Sequence, residues 1–327
     1  MKKILGTISG MMMAATMVAT PVVAQEDYPV ETVTLIVPYA AGGAADLVGR
    51  IVADELSKRF TANFIVENVG GAGGTLGAAR VAQAEPNGYT LLLHHIGMAT
   101  TATLYRELPY NALEDFAHIG LVTEVPMVMV GRRDLEADTM ADVIAYVREK
   151  GEDVMYANAG IGAASHLCGL LFMNALETQM TTVPYQGTGP ALTDLMGGQV
   201  DLMCDQTTNT TNQIRDGSIK AFGVTVPERL DSLPDIPTAS ESGLEGFEVT
   251  IWHGVYAPKG TPEEIVNRLS KSLQLALKDP TVAERFADLG TAPSPETDAT
   301  PEALRAKVQS EIDLWRPIIE AAGVYAN

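Results

Sequence analysis

Basic residues are scarce in this 327-residue chain: 22 Lys and Arg stand against 41 Asp and Glu, a formal net charge of −19. That balance excludes nucleic acid and anionic membrane surfaces as partners. Long-range steering cannot favour an anionic ligand either, so any anion must be held by local donors. Catalytic signatures are also missing. There is no G-x-S-x-G elbow and no H-E-x-x-H or H-x-x-E-H zinc pattern, so His94, His95, His166 and His253 with Asp46, Asp205 and Ser165 make a hydrolytic set only by chance assembly. The chain reads as no enzyme, with no cofactor and no metal. Beyond the N-terminal leader, no apolar run approaches the roughly 18 residues that would span a bilayer.

The leader itself is clear. Met1-Lys-Lys supplies a positive start, Ile4 to Thr20 is apolar and uncharged, and Val22-Val-Ala24 before Gln25 suits cleavage. Residues 1–24 are therefore expected to be a signal peptide, cleaved near Ala24, and the mature protein periplasmic. No Cys follows the apolar run, which argues against a lipid anchor.

The mature chain is organised around Val33–Val37, a β-branched apolar run, followed by Pro38-Tyr-Ala-Ala-Gly-Gly-Ala-Ala-Asp46. A strand, a glycine turn and a helix with Leu47, Ile51, Val52 and Leu56 on one face are expected. Unpaired N–H groups and the helix dipole then converge on one spot, a seat for an anion. Neither G-x-x-x-x-G-K-[ST] nor G-x-G-x-x-G occurs at this turn, so a carboxylate suits it better than a nucleotide phosphate. Strands at Phe64–Glu67 and Tyr89–Leu93 alternate with helices, which means βαβ units and a mostly parallel sheet. Ala117–Val122 is expected as a fourth strand, with Met127–Val130 beyond a crossover. The pattern restarts with a helix at Met140–Lys150, a strand at Val154–Ala157, and Asn158-Ala-Gly-Ile-Gly-Ala-Ala-Ser-His166, a second glycine turn opening a helix. Strands at Thr181–Pro184 and Val200–Cys204 follow, the latter ending in Asp205. From Thr261-Pro-Glu-Glu264 onward the chain reads as helices. The fold class is α/β with two lobes, each placing a glycine turn at the carboxyl end of a strand, where open parallel sheets bind ligands.

The motifs Pro38–Asp46, Gly71-Ala-Gly-Gly-Thr75, Asn87-Gly-Tyr-Thr-Leu91, Val183-Pro-Tyr-Gln-Gly187, Gly197-Gly-Gln-Val-Asp201, Leu233-Pro-Asp-Ile-Pro-Thr238, Ile251-Trp-His-Gly254 and Ala257-Pro-Lys-Gly-Thr-Pro262 occur in order over almost the whole mature chain. The ordered set resembles the tripartite tricarboxylate transporter receptors, the Bug/TctC family. Ser165-His-Leu-Cys168 and Cys204–Thr210 are similar to its aspartate-binding, BugD-like branch.

The resemblance implies a two-domain periplasmic-binding-protein fold, a "Venus flytrap" that closes on a small carboxylate and presents it to a tripartite tricarboxylate-type permease. One ligand carboxylate is then gripped between two loops, here Tyr39 to Asp46 (Tyr39, Ala41, Gly42, Gly43, Ala44, Asp46) and Gly160, Ile161, Gly162, Ala163, Ser165 and His166. His95, Gly97, Tyr185, Gly187 and Asp205 complete the expected ligand-binding set. Ala163 departs from the family, where Ser or Thr is common, and Ser165 is the hydroxyl at hand to take over. Domain 1 is expected to combine 25–124 with 253–327, and domain 2 to be one insertion, 125–252, in a monomer without membrane insertion. The ligand is read as a dicarboxylate or an acidic amino acid, Asp46 or Asp205 being the natural partner of an ammonium. Delivery to a sensor kinase stays open beside the permease. Cys168 and Cys204, the only cysteines, are expected to pair in an oxidising compartment, against the alternative of two buried thiols.

Overall fold

A computed structural model describes residues 28–323 together with 325 and 326. The leader and the expected cleavage point near Ala24 lie outside the described residues. The strands are β1 (Val33–Val37), β2 (Phe64–Asn68), β3 (Thr90–His95), β4 (Phe116–Arg132), β5 (Met155–Asn158), β6 (Thr181–Pro184), β7 (Leu202–Gln206), β8 (Ile219–Val224), β9 (Thr250–Pro258) and β10 (Ala292–Pro293). The helices are α1 (Ala44–Phe60), α2 (Thr75–Ala82), α3 (Gly97–Leu104), α4 (Met140–Lys150), α5 (Ala164–Leu176), α6 (Thr188–Met196), α7 (Thr207–Arg215), α8 (Glu263–Leu277), α9 (Pro280–Asp288) and α10 (Pro301–Ala322).

The strand order is β2-β1-β3-β9-β4-β7-β5-β6, with β8 and β10 also pairing β4. At one end β2, β1 and β3 run parallel. At the other, β7, β5 and β6 do the same. Each trio is a βαβ product whose carboxyl ends open into a glycine turn and a helix. Between them lie β9 and β4, antiparallel to each other, with β9 antiparallel to its neighbour β3 and β4 antiparallel to its neighbour β7.

The long strand corrects the expectation of two strands separated by a crossover. Phe116 to Pro126 pair with β9, and Met127 onward pair with β7 and β8. Pro126 interrupts the apolar pattern but not the strand, because it sits where the pairing partner changes and a missing N–H costs little there. β9 was not expected as a strand at all. Its Trp252, His253 and Gly254 do not alternate apolar with polar, because both faces of a central strand are buried.

Helix α8 packs on α1 and β4, α9 on α1 and β10, and α10 on α3 and β4. The core under α1 gathers Val33, Leu35, Val48, Val52, Leu56, Leu91, Val255, Leu269, Leu273 and Phe286, all buried. The second lobe has its own apolar layer of Val128, Val130, Leu192, Leu195, Met203 and Val224. Among the described residues no helix is long and apolar enough to cross a membrane.

Cys168 of α5 and Cys204 of β7 are joined as a disulfide, with Cα atoms 6.0 Å apart and a sequence separation of 36. Replacing both by Ala should lower stability by about 4 kcal/mol on the loop-entropy account, measured by chemical denaturation. Two free thiols on titrating denatured, unreduced protein would overturn the pairing.

Candidate functional site

Four helices begin around one small cavity of about 10 Å³ between the lobes, room for a single water. It is lined by Tyr39, Gly43, Ala44, Ala45, His95, Ala159, Ala164, Ser165, Thr188 and Gln206. Ala44 and Ala45 open α1, Ala164 and Ser165 open α5, Thr188 opens α6, and Gln206 is the N-cap of α7. Every helix start carries N–H groups without intrahelical acceptors and the positive end of a dipole. The N–H groups of Ala45, Asp46, Ala164 and Ser165 find no acceptor among the described residues. No lining residue is Lys or Arg. Such an arrangement can hold an anion by oriented peptide dipoles, without a formal cation.

The first turn is braced from behind. Asp46 Oδ2 accepts the Gly42 N–H (2.9 Å) and Arg50 Nε (2.9 Å), and Oδ1 accepts Asn68 Nδ2 (3.0 Å). Burial pushes this carboxyl up, but the hydrogen bonds from Arg50, Gly42 and Asn68 outweigh it and hold the pKa below the ordinary carboxylate value. Asp46 therefore does not line the cavity; it fixes the turn. Gly42 supplies the positive φ of 80° that the turn requires, and Ala41 and Gly42 face solvent.

The second turn uses the same device with different atoms. Gly160 N–H donates to Asn158 Oδ1 (2.9 Å), Ala159 N–H to Ser165 Oγ (2.9 Å), and Gly162 N–H to His166 Nδ1 (3.3 Å). Ala163 N–H bonds the Gly160 carbonyl, and the Ala163 carbonyl starts the helix by accepting from Leu167. Ser165 Oγ is an acceptor here, and its own hydroxyl donates to none of the described residues. His166 is buried and neutral, its pKa pushed down to about 4 by burial.

Tyr39 and His95 form the remaining wall, their rings stacked 4.6 Å apart. His95 Nδ1 accepts the Gly97 N–H (3.0 Å), which assigns the ring proton to Nε2 and makes it a neutral donor. Burial holds its pKa well below the ordinary value, with His94 and His253 adding to the effect. Gly97 leaves no room for a side chain: a Cβ would stand 2.9 Å from the His94 ring and 3.0 Å from Tyr39 Oη.

The lobes touch directly. Ala44 N–H donates to Thr188 Oγ1 (3.2 Å), Ala40 N–H to the Gln186 carbonyl (2.9 Å), Thr100 Oγ1 to the Gly162 carbonyl (2.9 Å) and Tyr105 Oη to the Ile161 carbonyl (3.1 Å). Gly187 packs on the Ala40 backbone, where a Cβ would come within 2.7 Å of the amide nitrogen, and Gly160 packs on Gly73. Ile161 and Tyr185 lie beside the cavity, in an outer groove, and Tyr185 Oη donates to Asp194 (2.7 Å).

Asp205 is fully buried behind Gln206 and outside the lining. It accepts the Gln206 N–H (2.8 Å) and the Asn209 amide. Burial pushes its pKa up to about 7, against hydrogen bonds from Asn209, Gln206 and Thr188 that favour the charge.

So Tyr39, Gly43, Ala44, His95 and Ser165 of the sequence-derived set line the cavity. Gly42, Asp46, Gly97, Gly160, Gly162, Ala163 and His166 shape its turns, and Asp205 stands behind it. Sequence reasoning missed Ala45, Ala159 and Ala164 of the lining and its two polar side chains Thr188 and Gln206. Both had a signal, Thr188 as the hydroxyl after Gly187 and Gln206 as the next residue after Asp205 at a strand's end. What hid Gln206 was α7, whose Thr-Thr-Asn-Thr-Thr start has no apolar face. A larger apolar groove between α5 and α10, lined by Leu167, Leu171, Trp315 and Ile319, has no comparable convergence of polar groups.

Among the described residues no group of His, Cys, Asp and Glu could hold a metal ion. Residues 48–324 match the profile of the "Tripartite tricarboxylate transporter family receptor". The chain is 52% identical over 312 residues to the "UPF0065 protein in the TAR-I ttuE-ttuC' intergenic region" of Agrobacterium vitis, covering 95% of this chain and 90% of that one. Among solved structures it is similar to the periplasmic binding protein BugD (47% identity, TM-score 0.89, covering 92% of this chain and 100% of that chain). It is also similar to MatC from Rhodopseudomonas palustris with bound malate (39% identity, TM-score 0.86, covering 89% and 100%).

Proposed function

The chain belongs to the tripartite tricarboxylate transporter receptors, periplasmic solute-binding proteins of two-lobed α/β fold rather than enzymes, and from that premise we propose that it captures a small aliphatic dicarboxylate between its lobes and delivers it to a tripartite permease. The observation that carries the reading is the convergence of the α1 and α5 N-termini, with those of α6 and α7, on one cavity without a cation. Such a seat selects one carboxylate by shape and charge.

A dicarboxylate is favoured over an acidic amino acid because neither Asp46 nor Asp205 presents its carboxyl to the cavity. Asp46 is committed to Gly42, Arg50 and Asn68. Asp205 is committed to Gln206 and Asn209. An ammonium would be buried without a countercharge, which is costly. The relative with bound malate supports the same class.

In this reading residues 125–252 form the inserted second domain, 25–124 with 253–327 form the first, and the hinge runs through the paired Pro126 and Thr250. The protein is exported, starts at Gln25 and acts as a monomer. A thermal-shift panel of mono-, di- and tricarboxylates and amino acids tests the reading. A dicarboxylate at a hundred times its dissociation constant should add about 2.7 kcal/mol, and a panel in which no dicarboxylate raises the melting temperature would refute it.

A further inference from the structure

Helix α7 carries polar residues where a packed helix usually carries apolar ones, and every residue from Thr207 to Thr211 is buried. It follows β7 of the second lobe, yet it packs on α1 of the first. What it does there is read from its hydrogen bonds.

Thr207, Thr211 and Arg215, spaced by four residues, share one face of α7 and meet three successive carbonyls at the end of α9. Thr207 Oγ1 donates to the Gly290 carbonyl (3.0 Å). Thr211 Oγ1 bonds the Thr207 carbonyl of its own helix (2.8 Å) and stands 3.5 Å from the Leu289 carbonyl. Arg215 bridges the Ser232 carbonyl (Nε, 3.2 Å) and the Asp288 carbonyl (Nη1, 3.4 Å). The end of α9 closes on itself through Leu289 and Thr291 N–H on the Phe286 carbonyl and Gly290 N–H on the Ala287 carbonyl. The next three carbonyls turn outward, and α7 supplies their donors. Arg215 also brings positive charge to the negative end of the α9 dipole.

Both sides of this contact are anchored. Beyond α9, Ala292 pairs with Glu124 of β4, and Thr291 Oγ1 donates to the Glu124 carbonyl (2.8 Å). On the other side Gln206, the residue before Thr207, pairs with Met127, next to Pro126, where β4 changes partner. Gly290 has a φ of 76°, and a Cβ on it would stand 3.0 Å from Thr207 Cβ and 2.9 Å from Ser232 Oγ. The contact therefore runs outward along α7 from the hinge side of the cavity.

When the lobes part, water replaces each partner in these bonds. When they meet, a missing donor leaves a carbonyl buried and unpaired, so the cost of losing the Thr207 hydroxyl falls on the closed arrangement alone. We propose that Thr207, with Thr211 and Arg215 behind it, is a positioning residue for ligand capture: it clasps the end of α9 and holds the lobes closed over the cavity without touching the ligand. The proposal rests on the two-lobed receptor reading above.

Calorimetry with succinate, malate and adipate, with small-angle scattering beside it, tests the clasp. Thr207→Val keeps the shape of the side chain and removes only the hydroxyl. It should weaken each of these acids that the wild type binds by the same factor, about ten-fold, one hydrogen bond's worth, and Thr207→Ser should restore the wild-type affinity. Arg215→Met, at the exposed end, should cost about two-fold, and it decides the question if Thr207→Val does not fold, unchanged affinities then counting against the clasp. A Thr207→Val protein that melts lower but binds like the wild type would reveal a purely structural contact and overturn the proposal. A loss that differs between the acids, or that Thr207→Ser shares, would do the same. If none of the acids binds the wild type, the dicarboxylate reading fails by itself and scattering of the unliganded proteins decides the clasp. A larger radius of gyration in Thr207→Val than in the wild type and Thr207→Ser supports it, and equal radii overturn it.

Discussion

Gly43→Val should abolish ligand binding while leaving the protein folded. Gly43 is the N-cap of α1 with an ordinary φ of −94°, so its backbone accepts a side chain without strain. The obstacle is the other lobe: a Cβ at Gly43 would stand 2.8 Å from Thr188 Oγ1 and 3.0 Å from the Gly189 amide nitrogen. Valine would therefore occupy the seat between the helix N-termini and hold the lobes apart. Calorimetry should show at least a hundred-fold loss of affinity, about 2.8 kcal/mol or more, with an unchanged circular dichroism spectrum. Gly73→Ala probes the closure component, with a positive φ of 62° adding backbone strain of its own. Its Cβ would fall 1.9 Å from the Ile161 carbonyl oxygen across the interface, a contact no rotamer relieves. Small-angle scattering of that variant with saturating ligand should report an open molecule. Full affinity in both variants would place the carboxylate seat elsewhere.

Acid should unfold this protein steeply below about pH 6. All five histidines, His94, His95, His118, His166 and His253, are buried. Burial pushes the pKa of His94 and His253 down to about 3 and of His118 and His166 to about 4, and holds His95 well below the ordinary value. The sign follows from which state takes up protons. Above pH 6.5 these rings are neutral folded or unfolded and pH has no hold on them. As pH falls from 6.5 toward 4, the unfolded chain binds five protons that the folded one refuses, so stability is lost.

Asp205 opposes this with one proton, because its folded pKa of about 7 lies above the ordinary carboxylate value of 3.8. Its own contribution therefore declines as pH rises between those values. The net of about four protons corresponds to a slope near 5 kcal/mol per pH unit at its steepest, against a total stability of roughly 5–15 kcal/mol. Melting temperatures at pH 7.5, 6.5, 5.5 and 5.0 should drop accordingly. His118→Gln removes a ring that packs on Tyr256, outside the cavity lining, and should reduce the slope by one proton. A melting temperature independent of pH from 7 to 5 would contradict the account.

How the ligand seat is built divides between what local sequence encodes and what long-range pairing decides. The two glycine turns were legible because each lies between a short strand and an apolar helix, and because Gly42, Gly160 and Gly162 adopt the positive φ that such turns demand. These are constraints within a dozen residues, and a single chain segment carries them. The lobed α/β class followed from the same alternation of periods.

The unity of β4 was not legible, because Pro126 reads locally as a break and only the change of partner from β9 to β7 removes its cost. Nor was the central place of β9, or the helix that begins at Thr207, whose hydroxyls bond back to Gln206 and Thr207 carbonyls in place of an apolar face. The roles of the two acids were decided the same way. Sequence alone left Asp46 and Asp205 as equal candidates for a ligand's ammonium. Arg50 and Asn68, brought to Asp46 by helix α1 and strand β2, and Asn209, brought to Asp205 by α7, occupy both carboxyls. Which side chains line the cavity depends on neighbours distant in the chain, and that is why Gln206 emerged only from the folded molecule.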